Sequence, residues 1–336
     1  MKGTPKTSPR WIRDGAAPAL AASLACLALV AACGGERATE IPKTTAAVAA
    51  PAADQQSLVV AVGDLHGDIT ATRAVLRAAG LIDAGDHWAG GDAVLVQTGD
   101  RLDRGDDERA VLDLLFALRN EAPAAGGRVV LLNGNHEYLN LDGDFRYLPE
   151  SACAAYADMV GLDTTQAACA GLSGPCAHRC AALLPGGPYG DLLAELPIAA
   201  MVGDSAFAHA ALFPEHARLG LHRLNDEAQA LACGELAAPP AFLGRGPRSA
   251  TWSRDLGDEI DPATCVDVAE TLSVLGARRL VIGHTVQERI NPACDGLVWR
   301  IDTGMCACYG GTPQALEIVG GATRVLAGAP ATSPAR

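Results

Sequence analysis

Four apolar runs in this sequence end in short loops whose side chains can hold metal ions. Leu58 to Val62 leads into Gly63-Asp64-Leu65-His66-Gly67-Asp68, and Asp92 to Thr98 leads into Gly99-Asp100-Arg101-Leu102-Asp103-Arg104-Gly105. Arg128 to Leu132 leads into Asn133-Gly134-Asn135-His136-Glu137, and Arg279 to Ile282 leads into Gly283-His284-Thr285. A fifth run, Ser205-Ala206-Phe207-Ala208, ends at His209. Carboxylate oxygens suit hard divalent cations, and imidazole suits borderline ones. Two such cations about 3.5–4 Å apart need a carboxylate that both can share, and between them a water is activated for attack on phosphorus. Charge building on the phosphoryl oxygens calls for an arginine. The leaving alkoxide calls for a proton, usually from a histidine held by a carboxylate. Asp, Asn, His and Arg delivered by successive loops therefore point to a hydrolytic metal centre.

The elements that must position these loops follow an α/β rhythm, since open α/β sheets bind ligands at the carboxyl ends of their strands. Strand 58–63 passes through the Asp64 loop into a helix over 69–79, capped by Asp68 and stopped by Gly80. Strand 93–98 is followed by a helix over 106–120, whose first turn, Asp106-Asp107-Glu108, suits the positive end of the helix dipole. Strand 128–132 supplies the third loop. This alternation predicts parallel strands with right-handed crossovers. Residues 138–200 break the rhythm with Ala, Cys and Gly and with helix-like patches at 151–160, 164–170 and 191–196. They read as a partly helical insertion, either a lid over the site or a disulfide-stapled surface excursion. Strand 205–211 carries His209, residues 214–233 read as helical, and 237–262 is loop. A helix over 265–275 feeds strand 279–283. A hairpin-like pair, 296–302 with 314–319, closes a domain spanning 58–320, and 321–336 is an Ala/Pro/Thr tail.

The hydrophobic fraction of 49% and the charged fraction of 19% fit a globular core, although aromatics are only 4%. A net charge of −13 lacks the basic footprint of non-specific nucleic-acid binding. Residues 1–15 are basic, 16–32 are apolar and small, and Val30-Ala31-Ala32-Cys33 follows the pattern of a bacterial lipobox. Residues 1–33 are expected to be a lipoprotein-type signal with Cys33 as the lipidated residue, and 34–57 a flexible tether. The expected location is the periplasm or cell surface, with the membrane as a partner through the lipid anchor. Eleven cysteines, nine of them after residue 33, fit disulfides in an exported protein, with at least one left over. Cys176-x-His178-x-Cys180 also admits a structural zinc site.

The five motifs in this order resemble the calcineurin-like metallophosphoesterases. Asp103-Arg104-Gly105 and Asn135-His136-Glu137 resemble the phosphoprotein phosphatase branch. Asn140-x-x-x-Asp144-x-Arg146-Tyr147, Ile301-Asp302-x-Gly304-Met305 and Tyr309-Gly310-Gly311 resemble the Shewanella-like phosphatases of bacteria and plants. The resemblance implies a βαβ sandwich with two divalent metals, for which manganese, iron and zinc are all suited. Asp64 and His66 would bind one metal, Asp100 would bridge, and Asn135, His209 and His284 would bind the other. His136, oriented by Asp103, would protonate the leaving group, Arg104 would grip the phosphate, and Glu137 would support the ligands. Arg254 and Arg146 are candidates for a second phosphate-binding arginine. The family's His-Gly-Gly is His209-Ala210-Ala211 here, which makes His209 the weakest match. The implied reaction is hydrolysis of a phosphomonoester by a metal-bridging hydroxide, with a phosphorylated protein (on Tyr or Ser/Thr) as substrate. A nucleotide or dinucleoside-polyphosphate hydrolase and a non-catalytic metal-binding lipoprotein are the alternatives.

Overall fold

The computed structural model describes residues 58–328. The expected signal, Cys33, the tether and residues 329–336 lie outside the described residues. Strand β1 (Val59–Val62) is buried along its whole length because both of its faces are covered. Successive side chains of a strand point to opposite faces. Val59 and Ala61 accordingly meet Phe207 and Val281 of a second sheet, while Val60 and Val62 share a core with Val75 and Leu112 of the helices. Each fully buried Val or Leu contributes about 1.5–3 kcal/mol. The architecture is the expected α/β sandwich.

Helix α1 (Ile69–Ala78) is capped as expected, by Asp68 Oδ1 accepting from the Ala71 N–H at 2.8 Å. β2 (Val94–Gln97), α2 (Glu108–Glu121), β3 (Arg128–Leu131) and α3 (Asn135–Leu141) follow. The insertion holds 3-10 turns at 150–156 and 167–169, then α4 (Gly174–Leu183) and α5 (Pro188–Ala194). β4 (Ala199–Val202), β5 (Ser205–Ala208), α6 (Pro214–Leu219), α7 (Leu221–Ala232), α8 (Pro262–Leu275) and β6 (Arg279–Ile282) lead to the last strands. These are β7 (Asn291–Ala293), β8 (Val298–Arg300), β9 (Gln314–Val319) and β10 (Ala322–Ala327). The first sheet has the order β10-β9-β1-β2-β3 and the second β4-β5-β6-β8-β7. The β1–β2–β3 pairings are parallel, as the alternation predicts, and the β5–β6–β8 pairings are parallel as well.

Several local expectations need correction. The pair 296–302 and 314–319 is not a hairpin: β8 pairs with β6 and β7, whereas β9 pairs with β1 and β10 across the sandwich. Residues 322–327, expected to lie in the tail, form an edge strand beside β9. The helical stretch 214–233 is two helices, broken at Gly220, whose φ of +86° is open to glycine and unfavourable to L side chains. The strand expected over 205–211 stops at Ala208, which leaves His209 just beyond its carboxyl end. No zinc site forms at Cys176 and Cys180, because they are joined to Cys153 and Cys169 respectively. Among the described residues the other disulfides are Cys265–Cys294 and Cys306–Cys308, and Cys233 is in none of the four. No helix of the described residues is long and apolar enough to cross a membrane.

Candidate metal centre

The five loops converge where the strands end. Asp100 lies at their centre, and its Oδ2 faces His209 Nε2 at 3.3 Å, His136 Nε2 at 3.8 Å and His66 Nε2 at 3.9 Å. Asp64 Oδ2 is 4.0 Å from His66 Nε2. On the other side His209 Nε2 is 3.0 Å from Asn135 Oδ1 and 3.2 Å from His284 Nδ1. All six residues expected as ligands are buried. Two donor groups thus share Asp100, one with His66 and His136 and the other with His209 and His284.

Hydrogen bonds outside the centre set the ring orientations. His66 Nδ1 donates to the Leu102 carbonyl at 3.1 Å, His209 Nδ1 to the Thr98 carbonyl at 2.9 Å, and His284 Nε2 to the Trp252 carbonyl at 3.2 Å. Each ring therefore turns its other nitrogen, carrying a lone pair, toward the centre, which is what a metal ligand requires. Asp64 accepts from the His284 N–H at 3.1 Å, and Asp100 Oδ1 from the His136 N–H at 2.9 Å. Ala210 and Ala211 keep negative φ and share the Ala250 carbonyl, so the substitution of alanine for glycine after His209 introduces no backbone conflict.

The loops are strained and tightly fitted. His66, Asp100, Asp103, Arg104 and His284 all have positive φ, between 43° and 68°. Residues in that region cluster at functional sites. Gly134 is required because a Cβ there would overlap Asp100 Oδ1 and the His209 ring.

Electrostatics fit cations as well. Asp64 is pushed well above its ordinary value by burial, then by Asp302 and Asp100, and Asp302 is pushed up to about 6 by burial. Asp100 moves the other way: burial works upward, but His209, His136 and His66 outweigh it. Burial holds His66 down at about 4 and His284 well below its usual range, so both rings are neutral donors near pH 7. Buried carboxylates crowded around neutral imidazoles are stabilised by divalent charge. The donor set fits two such ions, with Asp100 able to touch both.

Beside the metal ligands lie the groups expected to act on the phosphoester. His136 Nδ1 is 2.6 Å from Asp103 Oδ2, and its pKa is raised because Asp100 and Asp103 outweigh burial. The Arg104 guanidinium lies between the Tyr147 ring at 4.8 Å and the Tyr309 ring at 5.2 Å, and its buried Nε has no hydrogen-bond acceptor among the described residues. Of the two further arginines, Arg254 reaches Thr285 Oγ1 at 3.3 Å beside His284, whereas Arg146 is paired with Asp144 at 2.7 Å. Glu137 is fully buried and accepts from the N–H groups of Asp100, Arg101 and Gly134, tying two ligand loops together.

Three features were not assigned a role from the sequence. Asp302 stands against Asp64, though only its place in the Ile301-Asp302-x-Gly304 motif hinted at it. Tyr147 and Tyr309 enclose Arg104. Glu108 stands in the first turn of α2 as expected, and it is also buried and bound to Arg179 of the insertion and to the Asp103 N–H. No motif marks Arg179.

This fold and this site define a metallophosphoesterase. The profile of the calcineurin-like phosphoesterases matches residues 57–227, and the chain belongs to that family, whose members use a binuclear divalent metal centre. It is similar to Shewanella-like protein phosphatase 2 of Arabidopsis thaliana, with 37% identity over 77% of this chain and 74% of that protein. Shewanella-like protein phosphatase 1 of Plasmodium berghei is 29% identical over 74% of this chain and 67% of its own. Among solved structures, the cold-active protein-tyrosine phosphatase of a psychrophilic Shewanella superposes with a TM-score of 0.62 at 23% identity, covering 87% of this chain and 88% of that one. A protein serine/threonine phosphatase of Saccharomyces cerevisiae gives 0.53 at 16% identity over 84% and 83%. At these identities the structures establish the fold alone. The chain is a phosphoric monoester hydrolase of the protein-phosphatase-like kind.

Proposed function

We propose that the chain is an exported, lipid-anchored phosphoprotein phosphatase acting on phosphotyrosine or on phosphoserine and phosphothreonine. The observation that carries the catalytic reading is Asp100, whose Oδ2 faces His66 on one side, His209 on the other, and His136 at 3.8 Å. Asp64, His66 and Asp100 would hold one ion, and Asp100, Asn135, His209 and His284 would hold the other. Bound there, manganese, iron or zinc supplies an activated water and neutralises charge on the phosphoryl group. Arg104, steadied by its two tyrosines, binds the phosphate and is joined by Arg254. His136, its Nδ1 held by Asp103, gives its Nε2 proton to the leaving oxygen. Tyr147 and Tyr309 offer aromatic walls suited to the phenyl ring of phosphotyrosine. The name of the Arabidopsis relative supports a protein substrate. Export is supported by the basic, apolar and Val30-Ala31-Ala32-Cys33 order and by four disulfides, which persist in oxidising compartments.

The test is p-nitrophenyl phosphate hydrolysis by residues 34–336, stripped of metal and resupplied with manganese, zinc or iron. Metal-dependent turnover is expected, and on phenyl phosphate, whose more basic leaving group needs the proton, His136→Ala should cost about 10²–10⁴. Folded protein that binds two metal equivalents and turns over no phosphomonoester would redirect the reading to a nucleotide hydrolase or a binding protein.

A further inference from the structure

Deep in the insertion, Arg179 is completely buried on α4, between two cysteines that staple this helix to the chain before it. Its guanidinium grips Glu108 with two nitrogens, Nε and Nη2, the second at 2.8 Å. The same Nη2 faces Asp103 Oδ1 at 3.5 Å, and that oxygen accepts no hydrogen bond. Glu108 Oε2 in turn accepts from the Asp103 N–H at 3.1 Å. The other oxygen of Asp103 receives His136 Nδ1 at 2.6 Å and Asn140 Nδ2 at 3.1 Å. Asp103 is thus fixed from both ends, by the imidazole and amide at Oδ2 and by the insertion's cation at Oδ1. Its backbone, at a φ of +66°, is pinned by the carboxylate that holds that cation.

We propose that Arg179, clamped by Glu108, is a positioning residue for the Asp103–His136 pair, so that the disulfide-stapled insertion is a working part of the proton-donating machinery. The inference rests on the reading of His136 as the proton donor. Arg179 touches neither metal ligand nor substrate. Its effect runs through Asp103: a buried carboxylate without its counter-charge loses a fixed orientation, and the imidazole that depends on it loses aim at the leaving oxygen. A packing role alone would leave no chemical signature. A positioning role predicts one, because a strongly basic leaving group needs the proton and a weakly basic one hardly does.

The experiment compares phenyl phosphate with p-nitrophenyl phosphate, two substrates of similar shape whose leaving groups differ in basicity. In Arg179→Met, kcat for phenyl phosphate should fall about 10- to 100-fold. For p-nitrophenyl phosphate it should fall several-fold less, with KM and competitive inhibition by inorganic phosphate unchanged. Because the single change strands Glu108, the double variant Glu108→Met with Arg179→Met removes both charges at once, an exchange that buried ion pairs often tolerate. It should fold and show the same bias against the basic leaving group. Equal losses on both substrates, or none, in folded variants would overturn the proposal while leaving His136 intact as the acid. His136→Ala run in parallel separates the two: no leaving-group bias there would remove the acid reading itself, and this inference with it.

Discussion

Glu137 offers the sharpest test of how the site is held together. Its carboxylate accepts from the N–H groups of Asp100 at 2.8 Å, Arg101 at 2.7 Å and Gly134 at 2.7 Å, and stands 3.6 Å from Arg101 Nε. Both Glu137 and Arg101 are fully buried. Glu137→Ala strands three backbone donors and one guanidinium, whose remaining bonds run to Gln97, Asn133 and the Leu132 carbonyl. Hydrogen bonds to a charged group contribute about 1.5–3 kcal/mol each. They share one acceptor and do not add, so the loss is taken from buried ion pairs with one partner removed, about 3–5 kcal/mol. In a domain of this size each kcal/mol shifts Tm by about 2–4 °C, which predicts a fall of about 6–20 °C. Asp100 and the Asn135 loop are both released, so metal affinity should weaken about 10- to 100-fold. Thermal unfolding of the metal-free protein and titration with manganese measure the two effects separately. A Tm within about 2 °C of the parent together with unchanged affinity would refute the reasoning.

Arg104→Ala should raise KM for phosphoesters and weaken inhibition by inorganic phosphate about 10-fold or more, as loss of a charge-assisted contact does. Metal content, measured by mass spectrometry, should not change, because a guanidinium offers a cation no ligand atom. His216 is buried, with its Nδ1 accepting from the Phe213 N–H at 3.3 Å, and burial lowers its pKa below the ordinary histidine value. The unfolded chain then binds the extra proton first, so stability is full above about pH 6.5 and declines as pH falls through that value. Denaturant midpoints from pH 8 to 5 should show a component that His216→Gln removes, and identical profiles would count against it. Replacing Cys265 and Cys294 by serine opens a crosslink spanning 29 residues, an entropic loss of about 3–4 kcal/mol in the chain-entropy description. Chemical unfolding should register that loss while hydrolysis persists, since the bridge ties α8 to the segment after β7 rather than to the metal loops.

Much of the centre was readable before any fold was known, and for a local reason. Asp64 and His66, Asp100 with Asp103 and Arg104, and Asn135 with His136 each sit within a few residues of one strand end, so a short motif carries both ligand and position. Parallel strands β1, β2 and β6 were equally readable, because burial on both faces makes each a mostly apolar run, whereas β8, only half-buried, was not. The run-on from Ala199 to Ala208 was harder: β4 and β5 pair as a tight antiparallel unit that its apolar, alanine-rich composition does not distinguish.

What the sequence by itself determined was which residues bring chemistry, in what order, and on which loops. The tertiary structure alone decided the partners that come from afar. β9 pairs with β1 rather than with β8 because each of the two sheets must cover the inner face of the other, a choice no local pattern encodes. Asp302 meets Asp64, and Arg179 reaches Asp103 and Glu108, across long stretches of chain. Buried charges must find counter-charges wherever the fold brings them. A lone arginine between two cysteines gives no sign of which carboxylate it will meet, and only the packing of the insertion against α2 and α3 supplies the answer.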